Sequence, residues 1–288
     1  MLGFCVLAPM GDAMAKIIGA TIPVGQLVLV RFAVQALILL PIVWLSGMSL
    51  RLSPRALRLT VMRTMLHIVG IGAMFSALQY LPLADAVAIA FVMPFIMLIL
   101  GKFVLDEQVG PYRIIACAVG FIGTMLVVQP SFAEVGAPAL LPLLVAVVFA
   151  LFMLVTRQVA KEADPIALQC VSGIVAVVLL TPILMIADQF DAPVLNFTAP
   201  TQHEWMLLAG IGALGTFAHL MMTWSLRFAP SATLAPMQYL EIPIATFIGW
   251  LVFKDLPNGL AAVGIIITMA AGLYIIYREQ VTARAGRT

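Results

Sequence analysis

Few side chains in this sequence can do chemistry, and their placement narrows what that chemistry is. Glu241 stands in an apolar stretch, two residues before Pro243 and two after Tyr239, with Gln238 just upstream. An ionisable group inside such a stretch is costly and marks a functional site by default. A carboxyl here can bind an ammonium group or carry a proton; its structural alternative is a hydrogen-bonded contact between helices. Asp12 and Lys16 are four residues apart with the acid first. On a helix that spacing places both on one face as an ion pair, either structural or on a solute path. His67 and His219 each interrupt a long apolar run, and each is read as a hydrogen-bonding residue or a cavity wall. Arg31 and Asp85 complete the set. Together with Lys16 they are expected to form a charge network or gate, the alternative being that Arg31 snorkels outward and Asp85 caps its helix.

The motifs of enzymes are missing. There is no HExxH and no GxSxG, and Ser172 has no evident partner base. No GxxxxGK[ST] loop occurs. Cys5, Cys117 and Cys170 lie far apart in apolar runs, so neither a disulfide framework nor a metal site is indicated, and no cofactor is expected. A net charge of +2 without a basic aromatic patch gives no reason to expect nucleic acid as a partner.

The elements that must hold these residues are set by hydropathy. Hydrophobic residues make up 63% of the 288 and charged residues only 10%, where a soluble domain carries nearer a quarter charged. The bilayer must therefore be the main solvent. Residues 114–133, 135–156, 165–187 and 256–277 contain no charge, and 64–84 and 205–226 none but a histidine each. The runs 2–20, 24–46, 84–104 and 231–253 carry one or two charges each, which makes ten spans. In lipid each must close its own backbone hydrogen bonds, so all are expected to be helices; runs this long and continuous do not suit a β-barrel. The opening run is read as the first membrane helix rather than a signal peptide, since it lacks a basic lead. Trp44, Trp205, Trp224 and Trp250, with Tyr80, Tyr112, Tyr274 and Tyr277, fall near the ends of these spans as an interfacial belt, which leaves Tyr239 well inside.

Basic residues set the orientation. With the N-terminus in the cytoplasm, Arg51, Arg55, Arg58, Arg63, Lys102, Arg113, Arg157, Lys161, Arg227, Arg278, Arg284 and Arg287 fall at cytoplasmic ends, against Lys16, Arg31 and Lys254 toward the outside. Twelve against three predicts both termini inside. Arg31 then lies about 12 Å below the outer end of its helix.

The sequence also repeats. YLPLADAVAIAFVMPFIMLILGKFVLDE in the first half parallels FAPSATLAPMQYLEIPIATFIGWLVFKD in the second, at an offset of roughly 141–149 residues. Pro82 aligns with Pro230, Pro94 with Pro243, and Asp106 or Glu107 with Asp255. Five spans per half, an odd number, force the second copy to enter from the opposite side, giving inverted repeats over 1–133 and 134–288. Pro94 and Pro243 lie near the middle of their spans. Each removes a backbone bond and is expected to free a carbonyl one turn earlier, at Ala90 and Tyr239. Interrupted helices at matching positions point to a solute site at mid-membrane, with Phe91, Met93, Phe95 and Phe75 as apolar wall candidates. Glycines at 70, 72, 210, 212 and 215 allow close helix approach.

On the LPLADA…P…DE and APSATLAP…EIP…KD segments, two five-helix halves and Arg31 in the second helix, the whole chain resembles the EamA-type transporters of the drug/metabolite transporter superfamily. Within it the chain is most similar to the YddG-type exporters of aromatic amino acids. The resemblance implies ten helices with both termini cytoplasmic and a central cavity lined by helices 1, 3, 4, 6, 8 and 9, helices 5 and 10 lying peripheral. It implies export of amino acids, aromatic or large and neutral, from a bacterial cytoplasm across the inner membrane. The near-absent lead before the first helix departs from that family and leaves open whether the N-terminus is complete. The expected partners are a small-molecule substrate and the lipid bilayer, with the chain acting as a monomer. A sugar-phosphate or nucleotide-sugar carrier is the alternative, although such substrates want several deep basic residues. A channel would show a pore loop or a ring of like charges, and neither is visible. The substrate-facing candidates are Asp12, His67, Phe91, Pro94, His219, Gln238, Tyr239 and Glu241.

Overall fold

A computed structural model describes residues 1–104, 110–187, 189, 194–229 and 234–285. Every regular element among them is helical. The order is α1 (Leu2–Ile18), α2 (Val24–Leu45), α3 (Pro54–Ala77), α4 (Leu83–Ala90), α5 (Met93–Val104), α6 (Pro111–Val135), α7 (Leu141–Val159), α8 (Pro165–Ala187), α9 (Gln202–Phe228), a 3-10 stretch Ala235–Leu240, α10 (Glu241–Ile248) and α11 (Gly259–Ala285). Seven helical stretches are long and apolar enough to cross a membrane, α4 and α5 counting as one; shorter apolar helices run over Met237–Phe253 and Gly259–Tyr274. Asp106, Glu107 and Pro230 of the repeat lie outside the described residues.

Local signals explain where the helices start. Pro54, Pro111 and Pro142 occupy the first turns of α3, α6 and α7, where a missing N–H costs nothing. The Ser53 hydroxyl accepts from the Ala56 N–H at 3.1 Å. Asp164 accepts from Ile166 N–H at 2.8 Å ahead of α8, and Thr201 with Glu204 forms a reciprocal capping box on α9. Helix α3 begins ten residues before the span 64–84 expected from hydropathy. Its first three turns carry Arg55, Arg58 and Arg63, which a search for charge-free runs steps over.

The helices pack in pairs: α1 with α9, α2 with α8, α3 with α7, α6 with α11, and α4 with α10. Glycine sets the closest approaches. A Cβ on Gly212 of α9 would collide with Val34 of α2, and one on Gly264 of α11 with the Gly123 carbonyl of α6. Such backbone contact replaces area burial as the cohesive force where lipid is as apolar as the side chains.

Candidate functional site

The site begins at a break in the fourth span. The N–H groups of Phe91 and Val92 turn back to Ala88 and Ile89 at 3.2 and 3.4 Å, three residues rather than four. Helix α4 closes there and α5 opens with Pro94 as its second residue, a position where proline is tolerated. In the repeat-related span the distortion precedes its proline. Residues Ala235–Leu240 wind as 3-10 helix, and Pro243 is already inside α10. The tighter winding swings Gln238 and Glu241 onto the same side as the α4–α5 break.

Both distortions border one half-open cavity with about 90 Å³ of free volume. Asp12 from α1, Arg31 from α2, Phe91 from the break, His219 from α9, Gln238 and Glu241 all line it. The rest of the wall is apolar, with Phe4, Met74, Phe75, Met93 and Phe149 contributing. This is the usual make-up of a small-molecule site, mostly apolar with a few convergent polar groups.

Arg31 dominates the electrostatics. It is 2% exposed, and its Nη2 lies 3.0 Å from His219 Nδ1. Its guanidinium carbon sits 4.9 Å from the centre of the Phe32 ring. Its Nη1 has no hydrogen-bond partner among the described residues, and no carboxylate pairs with it within 4.0 Å there. Asp12 is close enough to sense its charge, and Glu241 that of Asp12. Gly215 gives the arginine its passage, since a Cβ there would lie 2.7 Å from Arg31 Nε. The Oε1 of Gln238 and the Nε2 of His219 are likewise unpartnered. A cation, two carboxyl groups and unpaired amide and imidazole atoms thus face one apolar chamber. The arrangement can take a ligand that carries both charges and an apolar or aromatic body.

Three of the expected substrate-facing residues stand behind this wall. Tyr239 is 2% exposed and packs behind Phe91, ring centres 5.3 Å apart. His67 is fully buried and lies against His219 at 4.3 Å. Pro94 shapes the break without bordering the cavity. Pro243 borders a separate surface pocket with Trp250 and Leu256.

Of the network expected from their depth, Lys16 and Asp85 lie close enough to feel each other's charge, while Arg31 stands apart from both. Lys16 Nζ donates to the Leu81 carbonyl at 2.7 Å and lies 3.8 Å from Asp255, turned away from Asp12. Asp85 accepts from Ser131 Oγ at 3.4 Å. Arg31 instead runs into the space beside Gly215. The difference lies in the partner helix: a glycine on α9 opens room for a guanidinium that depth alone would aim at the surface.

Comparison with known proteins fits this architecture. The model of the EamA-like transporter family matches residues 1–129 and again 137–278. The chain belongs to the EamA-like transporter family. The S-adenosylmethionine uptake transporter of Rickettsia prowazekii is 25% identical over 96% of this chain and 90% of its own length. The riboflavin transporter of Rhizobium johnstonii is 30% identical over 76% and 70%. The pseudopaline exporter of Pseudomonas aeruginosa is 24% identical over 90% and 88%. A solved crystal structure, described only as that of a protein, aligns over 99% of this chain and 97% of its own at a TM-score of 0.72 and 16% identity, which speaks for the fold alone. The chain is thus a membrane transporter of small molecules. These relatives' names do not include an aromatic amino-acid exporter, the branch suggested by sequence.

For this EamA-family chain, the sequence did not point to Phe4, Met74 and Phe149 of the cavity wall, nor, beyond the wall, to Arg63. Arg63 is counted above as a charge at a helix end, yet it is 0% exposed. Its Nε donates to Thr156 Oγ1 at 2.8 Å and its Nη1 to Ser172 Oγ at 2.7 Å. Its Nη2 donates to Gln169 Oε1 at 3.0 Å and Thr223 Oγ1 at 3.3 Å. Ser172, set aside above for want of a base, is here an acceptor for a guanidinium. The signal that could have found Arg63 is its place four residues before His67, one turn along the same helix face.

Proposed function

We propose that this protein is a secondary carrier for metabolites that bear an α-amino acid group on an aromatic or large apolar body. The observation that carries the reading is the cavity itself: a buried guanidinium with no carboxylate within ion-pair distance among the described residues, and two carboxyl groups lining the same chamber, within walls of phenylalanine and methionine. Arg31 takes the carboxylate with its unpartnered Nη1, Asp12 or Glu241 takes the ammonium, and the phenylalanines cover the body. S-adenosylmethionine, named for the Rickettsia relatives, is a molecule with such a group and an aromatic base. Large neutral and aromatic amino acids share it.

The chain works as ten crossings in two inverted halves, 1–133 and 134–288, with both termini cytoplasmic and the protein in a bacterial inner membrane. The helix pairing supports the two halves. Exchanging each helix for its counterpart in the other half turns the α1–α9 pair into the α7–α3 pair and returns α2–α8, α4–α10 and α6–α11 onto themselves. Rocking of one half against the other opens the cavity to each side in turn. Relatives are named for both uptake and export, and net flux in a carrier follows its gradients; export of amino acids is the direction we assign. Riboflavin is a second reading, favoured by the 30%-identical relative and by the aromatic wall. Counterflow into proteoliposomes loaded with amino acids, S-adenosylmethionine, riboflavin or sugar phosphates separates these. Exchange of the amino-acid class supports the proposal, whereas exchange of riboflavin or sugar phosphate alone replaces it.

A further inference from the structure

Arg63 lies outside the cavity wall, on the side of His67 and His219 away from Arg31. It is the larger anomaly of the two buried arginines. Its Nε, Nη1 and Nη2 all donate, and every acceptor is neutral. The cradle is prepared to accept: Thr156 Oγ1 donates its own proton to the Phe152 carbonyl at 2.6 Å and Thr223 Oγ1 to the His219 carbonyl at 2.7 Å. Each hydroxyl therefore turns a lone pair to the guanidinium. The Phe152 ring lies 4.7 Å from its carbon. No carboxylate within 4.0 Å neutralises it among the described residues. Burying a charge carries a large desolvation cost, and neutral hydrogen bonds offset only part of that. A permanent cation kept in a membrane without its own counter-ion is poised for an anion that arrives from elsewhere.

Between the cavity and Arg63 stand two imidazoles set among the rings of Phe4, Phe32 and Phe152. His219 touches Arg31 at 3.0 Å, the His67 ring lies tilted against that of His219 with centres 4.3 Å apart, and Arg63 is one turn before His67 on α3. Both ring nitrogens of His67 are unpartnered in a fully buried side chain. The cradle also joins the proposed halves, since α3 belongs to the first and α7, α8 and α9 to the second. Rocking that parts the halves on this side must break the four hydrogen bonds and bare the guanidinium.

We infer that Arg63 is a second carboxylate station, occupied by the substrate when the carrier is open to the Arg63 side, with the His67–His219 pair lying between it and Arg31. When that side closes, the neutral cradle replaces the substrate as the partner of Arg63, and the carboxylate passes to Arg31. The inference rests on the amino-acid reading above. In the orientation proposed there, the Arg63 side is cytoplasmic.

The test uses the full-length protein in proteoliposomes sorted by orientation, with an amino acid that it exchanges and the matching amine lacking the carboxylate. For each membrane face the readout is the KM of the amine divided by that of the amino acid. Arg63→Gln should lower this ratio roughly tenfold to hundredfold on the Arg63 face, the worth of a hydrogen-bonded charge pair, and leave the opposite face unchanged. An unchanged ratio on both faces, or an equal loss on both, makes Arg63 a structural tie only and overturns the inference. If Arg63→Gln does not fold, Thr223→Val removes the longest of the four acceptors and leaves the charge. The ratio on the Arg63 face should then rise, and a constant ratio overturns the inference equally. Absence of exchange of any amino acid by the unaltered protein would defeat the amino-acid reading itself, a result distinct from either.

Discussion

Gly215→Ala tests the cavity with the smallest change the structure allows. A Cβ at this position would stand 2.7 Å from Arg31 Nε and 2.8 Å from Nη2, where ordinary contact begins at 3.4 Å. The guanidinium must therefore retreat by about 0.7 Å, the difference of those distances. It has little room to do so, with His219 at 3.0 Å on Nη2 and the Phe32 ring at 4.9 Å. A displacement of that size breaks the alignment of a charge-assisted hydrogen bond worth about 1.5–3 kcal/mol. Substrate KM should rise roughly tenfold to hundredfold. The helix itself does not suffer, because alanine is favoured over glycine in a helix interior by about 0.5–1 kcal/mol. The assay is counterflow KM in proteoliposomes beside thermal unfolding in detergent. A raised KM with unaltered melting is expected. An unchanged KM would refute the claim that Arg31, held as seen here, binds the substrate.

Glu241→Gln keeps the shape of the cavity wall and removes its proton-carrying group, so the pH profile of exchange should flatten; a profile superimposable on that of the unaltered protein would exclude Glu241 as the coupling site. Asp12→Asn should weaken an amino acid more than the same acid lacking its amino group, by about tenfold, measured as competing inhibition of exchange; equal effects on both would remove Asp12 as an ammonium partner. Gly264→Leu drives a side chain into the Gly123 carbonyl where α6 and α11 meet and should destabilise the protein by roughly 1–3 kcal/mol, read as a lower melting temperature; unchanged melting would mean that this contact contributes no cohesion.

How far the sequence carried is clearest in particular elements. The span 165–187 and helix α8 coincide, because a proline opens it and no charge interrupts it. The interruption at Pro94 was legible for the same reason, proline being a backbone rule that needs no partner. The start of helix α3 was not, since hydropathy avoids its three arginines while the helix continues through them. The Arg63 cradle was invisible because its acceptors lie 93 to 160 positions away, and single threonines, serines and glutamines in apolar runs carry no sign of a common partner. Arg31 was found by its depth but given the wrong neighbours. Its direction is decided by Gly215, nearly two hundred residues further along the chain.

The central claim is that one cavity reads both charges of an amino-acid head group. Its most direct test is equilibrium binding to the purified protein of three matched ligands: an amino acid that it exchanges, the amine without the carboxylate, and the acid without the amino group. The account predicts that the intact amino acid binds tightest and that either deletion costs about tenfold or more, with Arg31→Gln erasing the penalty for losing the carboxylate and leaving the other. Equal affinity for all three ligands would contradict it.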